Sequence, residues 1–270
     1  MRAFTNHLLF EFKTGIRNKT LLIMNYLLPL GFFLMMGFVM GTIMPDFLNT
    51  MIPAMVVFTI ISATFLGIPD PLVNAREKGI FRSYKINGVP AISILVIAAL
   101  TTLLHLVIAT LVIIISAPLL FDAELPVNWL NFVIVFFAMS FACAGLSVLI
   151  GVISPNTRAT VLWSQLFFIP SNLLGGMMFP YSLLPDFAKK IAQILPPTHA
   201  MNAFKGLAFG YSGDFSPWAS VIILAVSGLL AFSLAVLLFN WDNNNTSKRK
   251  FVPLALIAML PYVVGIFLLN

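Results

Sequence analysis

Long uncharged stretches alternate with short polar segments along the whole chain. Seven stretches of at least 20 residues contain no Asp, Glu, Lys or Arg. Because a hydrocarbon core about 30 Å thick needs roughly 20 residues of α-helix, each stretch is long enough to cross a bilayer. The pattern predicts an all-α integral membrane protein. The expected spans cover residues 20–42, 51–72, 91–119, 129–153, 159–178 and 217–240, and a further apolar segment covers 252–269.

Residues 1–19, before the first span, repeat large apolar side chains every four positions. Phe4, Leu8, Phe12 and Ile16 would form one stripe of a helix whose other faces are polar. Such a pattern is typical of an amphipathic helix that lies in the headgroup plane. A frayed cytoplasmic tail is the alternative, but it would leave four large apolar residues in water.

The segment 180–216, between the fifth and sixth spans, is too apolar for an ordinary loop. It carries Pro180, Pro185, Pro196 and Pro197 around two apolar runs, 187–195 and 200–209, each shorter than a span. The pattern predicts two half-helices folded on or into the outer leaflet, with their broken backbone ends buried in protein or water. The alternative, a disordered external loop, fits its apolar content poorly.

The distribution of Lys and Arg along the chain predicts its orientation in the membrane. The chain is 60% hydrophobic and only 9% charged, with a net charge of +6 and a mean hydropathy of +1.01. Twelve of its fifteen cations lie in alternate segments: Arg2, Lys13, Arg17 and Lys19; Arg76, Lys78, Arg82 and Lys85; Arg158; and Lys248, Arg249 and Lys250. By the positive-inside rule these segments and the N-terminus are cytoplasmic. The net charge indicates topology and attraction to lipid headgroups, not a nucleic-acid partner.

Residues with catalytic chemistry are sparse. The sequence contains no nucleotide-binding loop, no nucleophile elbow and no paired-histidine metal motif. The histidines His7, His105 and His199 are far apart, and Cys143, the only cysteine, falls inside a span, where packing is the expected role. We therefore expect no enzyme activity, metal or cofactor in this chain.

The loop 74–90, between the second and third spans, is the most polar segment of the core. It combines four cations with Phe81 and Tyr84 and ends in Gly88-Val89-Pro90. A short helix that presents aromatic and basic side chains is a docking surface for a cytoplasmic partner. The alternative is a solvated loop held at the lipid headgroups.

Polar residues inside spans are costly and are therefore candidates for a transport pathway. Asn25, His105, Gln165 and Asn172 could line a pathway or a dimer interface, although interhelical hydrogen bonds are the simpler interpretation. Asp70 lies near the inner end of the second span, where it could reach water or pair with Arg76. Small residues four apart, as at Cys143, Ser147 and Gly151, indicate close helix packing within the subunit, or else a dimer face.

Two groups of residues resemble a known family. They are Arg76 to Gly79 with Asn87 to Pro90, and Gly175 to Pro180 with Leu184-Pro185, Leu195 to Thr198 and Ala203-Phe204. Both are similar to ABC-2 type transporter permeases, the membrane subunits of one class of ATP-binding-cassette exporter. The resemblance covers residues 1 to about 240.

This resemblance implies an N-terminal interfacial helix, six spans and extracellular re-entrant helices between the fifth and sixth spans. It implies that the 74–90 loop is a coupling helix docked on a separate ATPase, which binds the ATP and Mg. The interface residues would be Arg76, Glu77, Lys78, Gly79, Phe81, Arg82 and Tyr84, and Pro180, Pro185, Pro196 and Pro197 would shape the outer gate. Residues 1–240 would form the permease domain.

The segment 241–270 departs from the family pattern. A basic linker precedes 20 uncharged residues that contain Pro253 and Pro261. If these residues span the membrane, the C-terminus is outside, and if they are tilted or re-entrant, it stays inside. Length and the Lys248 to Lys250 cluster favour a seventh span.

The sequence thus favours the permease subunit of an ABC exporter in a cell membrane, a bacterial plasma membrane in particular. Two permease copies, identical or different, would work with the ATPase to expel a hydrophobic or amphipathic substrate such as a drug, lipid or peptide. A secondary transporter or channel without an ATPase is one alternative, and a membrane anchor with no transport role is another.

Overall fold

The computed structural model describes residues 2–242 and 249–269, and every regular element in these ranges is helical. In chain order the helices are α1 (Arg2–Arg17), α2 (Lys19–Ile43), α3 (Pro45–Glu77), α4 (Ile80–Ile86), α5 (Ala91–Phe121), α6 (Trp129–Ile153), α7 (Thr157–Leu174), α8 (Asp186–Ala192), α9 (Pro196–Ala203), α10 (Pro217–Leu238) and α11 (Leu260–Leu268). The all-helical prediction is confirmed.

Five helices are long and apolar enough to cross a membrane: α2, α3, α5, α6 and α10. The fifth predicted span is shorter than expected, because α7 ends at Leu174 and not at residue 178. Gly175 and Gly176 follow, and Gly176 has a φ of 81°, a left-handed conformation that glycine adopts without strain and that ends a helix.

Two helices form the centre of the molecule. All residues of Met51–Ile61 in α3 are buried, and α6 is the next most enclosed span, whereas α2 and α5 expose most of their surface. A helix that is apolar on every side gives no sequence signal for which face is inward. The structure supplies this missing information by surrounding α3 and α6 with the other spans.

Prolines interrupt α2 and α3 at membrane depth. In α2 the residues Ile23–Leu27 form a π-turn, in which the N–H of Leu28 bonds to the carbonyl of Ile23, just before Pro29, which has no N–H to donate. In α3 a second π-turn, Ser62–Leu66, is followed by a break at residues 67–68 before Pro69 restarts the helix. Both interruptions leave backbone groups that need other partners.

Small residues bring α6 and α10 into close contact. A Cβ atom on Gly145 would lie 2.9 Å from the carbonyl oxygen of Gly228. Cys143 and Ser147 of α6 and Ser227 of α10 are fully buried. The interpretation that these small residues serve packing within the subunit is confirmed for this pair of helices.

The N-terminal helix α1 forms as predicted, but its apolar stripe is divided. Phe12 and Gly15 lie against α5, whereas Phe4 and Ile16 are 37% and 46% exposed. The inward face also includes His7 and therefore mixes polar and apolar side chains. Its placement in the headgroup plane stays a prediction.

The C-terminal segment lies along α10 in the opposite direction. A 3-10 helix, Arg249–Met259, leads into α11, and Ser227 Oγ donates a 2.9 Å hydrogen bond to the carbonyl of Ala258. Farther along, Gly265 lies beside Ile223. At about 2.0 Å and 1.5 Å per residue, its 11 and 9 residues reach about 35 Å. Residues 243–248 of the predicted basic linker lie outside the described residues.

The loops sort to two ends of the molecule as the charge pattern predicts. At one end, α1 meets α4, and the residues that follow α10 contact α4 through Arg82 and Asp242. At the other end, Glu124 contacts Tyr211, and Asp46 lies near Pro180 in one pocket. The cation-rich segments up to Asp242 thus share one face, whose cytoplasmic location stays a prediction.

Candidate functional site

The polar loop 74–90 folds as a helix–turn–helix elbow, and we use "elbow" for these residues. Gly79, with a φ of 74°, links the end of α3 to α4, and Gly88, with a φ of 73°, leads into α5. The N–H of Gly79 bonds to the carbonyl of Arg76 at 3.1 Å. Both glycines occupy a left-handed conformation that other residues adopt only with strain. The predicted short helix is confirmed as α4.

Arg76 points into the protein rather than toward a partner. Its side chain is 6% exposed, and its guanidinium donates to the carbonyls of Val152 at 2.8 Å and Gly151 at 3.5 Å and to that of Ser154. These carbonyls belong to the C-terminal end of α6, which has no further helical N–H groups to satisfy them. The guanidinium of Arg76 is therefore engaged inside the chain, and its predicted contact with an ATPase stays a prediction.

Asp70 also makes a different contact from the expected one. Its Oδ2 accepts a 2.8 Å hydrogen bond from Asn74 Nδ2, one helical turn away. Asp70 thus lies in the part of α3 that follows the break, near the elbow. Its position at a membrane boundary stays a prediction.

The aromatic residues of α4 turn inward as well. Phe81 is 4% exposed, and its ring centroid lies 5.3 Å from that of Phe239 at the end of α10. Tyr84 packs edge-on against His7 of α1 at 5.4 Å, and burial, with a smaller contribution from Glu11, raises the pKa of its phenol. A seven-residue helix has only one buried face, which these rings occupy. They support the elbow and do not form its outer surface.

Charged residues of the elbow tie it to two further helices. Glu77 accepts a 3.2 Å hydrogen bond from Thr157 at the start of α7. Arg82 forms a 2.6 Å ion pair with Asp242, which follows α10, and the hydrogen bond to Asp242 raises the pKa of Arg82. The elbow therefore contacts the ends of α6, α7 and α10 and the N-terminal helix α1.

The outer surface of the elbow combines basic and apolar side chains. Lys78 and Lys85 are exposed, and Ile86 projects with 85% of its surface exposed. Gly79 is partly exposed between them. Of the predicted interface residues, Glu77, Lys78, Gly79 and Arg82 therefore remain accessible.

The segment 180–216 contains the two short helices that its pattern predicts. They are α8 and α9, and every residue of α9 is buried. Pro196 and Pro197 occupy the first turn of α9, where a missing N–H costs nothing. Pro180 and Pro185 are the residues just before a 3-10 turn and α8. Their predicted role as an outer gate is untested.

Asn202, which the sequence analysis missed, holds this segment together. Its Nδ2 donates to the carbonyl of Phe215 at 2.9 Å and to Ser220 Oγ at 3.1 Å. Its Oδ1 accepts from the N–H of Asp214 at 2.7 Å. One buried amide thus joins α9, the following turn and α10, and no sequence signal distinguishes it from other asparagines.

The four predicted pathway residues fall into two separate groups. Gln165 and Asn172 lie on α7, where Asn172 Nδ2 donates to the carbonyl of Phe168 in the same helix at 2.8 Å. Asn25 and His105 line one cavity between α2, α3 and α5. The structure therefore supports a shared site for the second pair only.

This cavity has a volume of about 230 Å³ and is covered by α1. His105 Nδ1 lies 2.7 Å from the Tyr26 hydroxyl, and the ring of Phe12 stacks on His105 at 4.5 Å. Among the described residues, Asn25 Oδ1 and His105 Nε2 have no hydrogen-bond partner. The cavity is thus largely apolar, and two polar atoms of its lining lack a hydrogen-bond partner.

These apolar helices make the chain a multi-pass membrane protein. It belongs to the ABC-2 type transporter family, since that family's model matches residues 4–209, from α1 to just beyond α9. The recognition made from the elbow and the 175–204 motifs is confirmed. Permeases of this family generally work with a cytoplasmic ATPase subunit, and membership indicates a transporter rather than an enzyme.

Two curated proteins are similar to the chain. "Putative transport permease YvfS" of Bacillus subtilis is 24% identical over 230 residues, which are 83% of this chain and 91% of that protein. "Nodulation protein J" of Sinorhizobium fredii is 31% identical over 65 residues, 24% of this chain and 25% of that protein. The first likeness extends over nearly the whole relative.

Proposed function

We propose that the chain is the permease subunit of an ABC exporter and that its ATPase partner docks on the elbow. The observation that carries this proposal is the set of contacts from the elbow to α1, α6, α7 and α10. A partner that moved the whole elbow would displace the ends of four helices together, because Arg76 and Glu77 contact α6 and α7 while α4 contacts α1 and α10. Such a discrete, packed connection is what transmits a binding event at one surface to a distant site.

The proposed docking surface consists of Lys78, Lys85 and Ile86. An exposed apolar side chain among cations is suited to a central contact surrounded by a polar rim. ATP and Mg would bind in the partner, and two permease copies, identical or different, would enclose the pathway. The N-terminus and the elbow would be cytoplasmic, in a bacterial plasma membrane.

Export would carry a hydrophobic or amphipathic substrate from the cytoplasmic side past the re-entrant helices. Pro180, Pro185, Pro196 and Pro197 would give these helices their shape at the outer gate. The C-terminal segment would form a further span, because its apolar part, Val252–Leu268, measures about 30 Å and so matches the hydrocarbon core. Its antiparallel contact with α10 supports this topology.

The test is copurification of this chain with a coexpressed cytoplasmic ABC ATPase subunit from the same organism. Ile86→Asp places a charge at the centre of the proposed contact and should weaken the complex by at least about 30-fold, as expected for a hot-spot residue. Leu183→Asp changes a residue that is 66% exposed at the opposite end and should leave the complex intact. Retention of the ATPase by Ile86→Asp, or transport by the purified permease alone, would contradict the proposal.

A further inference from the structure

The cavity under α1 lies where α3 is broken. Gly67 lines it beside Asn25, and a Cβ on Gly67 would be 3.4 Å from Asn25 Oδ1. Pro71 has no N–H to donate to the carbonyl of Gly67, four residues earlier. Irregular backbone at membrane depth is tolerated only when it is buried in protein or lines a polar cavity. Broken helices are also where membrane transporters place binding sites.

Most of the cavity lining is apolar, and its polar side chains are few. The polar groups include the unpartnered Oδ1 of Asn25, which is 4% exposed, and the carboxylate of Glu11, whose Oε1 lies 3.5 Å from His7 Nε2. Tyr84, His7 and His105 are the other titratable residues of the lining, and none of its described residues is Lys or Arg. A largely apolar cavity with one carboxylate, one unpartnered amide oxygen, aromatic neighbours and no basic side chain in its lining favours a cation that carries an apolar group.

The volume is more than water alone requires. A single buried water needs only about 15 Å³, whereas this cavity measures about 230 Å³. One wall is α1, which approaches closely because residue 15 is glycine: a Cβ there would lie 2.6 Å from His105 Nε2. The cover of the cavity is therefore a surface helix, and its floor is formed by the spans.

We propose that this cavity binds the positively charged head of an ammonium-bearing amphiphile. Glu11 and Asn25 would contact the head, and the apolar tail would lie along the surrounding helices. The inference deepens the proposed function, on which it rests, by naming a substrate class. It predicts binding to the permease without any ATPase.

The experiment is calorimetric titration of the full chain in nonionic detergent with hexyltrimethylammonium and, separately, hexanesulfonate. The cation should bind saturably and the anion should not. Glu11→Gln should raise the Kd for the cation about three- to fivefold, since it removes a partly exposed charge. Asn25→Asp adds a carboxylate of the same shape and should lower the Kd.

Glu124→Gln is the matched control, because it removes a carboxylate at the opposite end of the molecule and should leave the Kd unchanged. Glu11 is on the rim of the cavity, so its variant tests the idea even if Asn25→Asp does not fold. Absence of saturable cation binding, equal binding of the sulfonate, or an unchanged Kd in Glu11→Gln would each overturn the inference. Because the partner is absent, these outcomes are independent of ATPase copurification.

Discussion

Replacement of Arg76 separates a structural role from a docking role. In Arg76→Met the apolar stem is kept and the guanidinium is lost, so the carbonyls at the end of α6 lose their donors. The bonds to Val152 and Ser154 are the close ones, and that to Gly151, at 3.5 Å, is weak. Charge-assisted bonds contribute about 1.5 kcal/mol or more each. Two such bonds place the loss of stability near 3 kcal/mol, about a hundredfold in the folding equilibrium.

The sole cysteine provides the assay. Cys143 is fully buried, so a thiol-reactive dye labels it only when the helices separate, and labelling during denaturant titration reports unfolding. Lys78→Met, in the same turn but exposed, should change stability by less than about 0.5 kcal/mol. Arg76→Lys should recover part of the loss, because an ammonium keeps the charge but not the planar fork.

The reasoning would be refuted by a specific pair of results. Suppose that Arg76→Met unfolded at the same denaturant concentration as Lys78→Met and yet no longer bound its ATPase partner. Arg76 would then act at the interface and not inside the chain. Loss of both stability and partner, with stability falling by about 3 kcal/mol, is the expected pattern.

Two further predictions concern packing and pH. Gly145→Ala should destabilise the protein by about 1–3 kcal/mol, because the new methyl group meets the carbonyl of Gly228, whereas Gly31→Ala, with nothing within 4 Å, should be neutral or stabilising. Unfolding of both variants can be followed at Cys143, and equal stability would contradict the close packing. Tyr211 donates a hydrogen bond to Glu124, which, with burial, raises the pKa of the phenol to about 12. The stability that this contact contributes should persist up to about pH 10 and be lost as the pH approaches about 12. Glu124→Gln should lower the pKa of Tyr211, as measured by absorbance of the phenolate with Tyr211→Phe as the reference. An unchanged pKa of Tyr211 would count against the contact.

The spans and the elbow could be predicted because their signals are local. A sufficiently long uncharged stretch predicts a span from its own residues alone. The glycines of the polar loop likewise predict its turns. The sequence predicts the end of α7 four residues too late, because apolar residues continue past Gly175. Hydropathy gives no information about the left-handed conformation of Gly176, which ends the helix. Backbone conformation, not composition, ends that helix.

The direction of side chains could not be predicted in the same way. Arg76 lies in a basic loop, so its pattern indicates exposure, but the carbonyls that it satisfies are 75 residues or more away in sequence. Asn202 and the pairing of Asn25 with His105 likewise depend on contacts between distant helices. Hydropathy reports which residues leave water and not which neighbours they meet.

The contact of Gly15 with His105 has an evolutionary consequence. The backbone of α1 at Gly15 lies so close to the imidazole of His105 that the side chain at one position limits the size of the side chain at the other. A relative with alanine or a larger residue at position 15 should carry a smaller side chain at position 105, and substitutions at the two positions should therefore be correlated across the family. Where that correlation holds, the N-terminal helix covers the same place in the relatives.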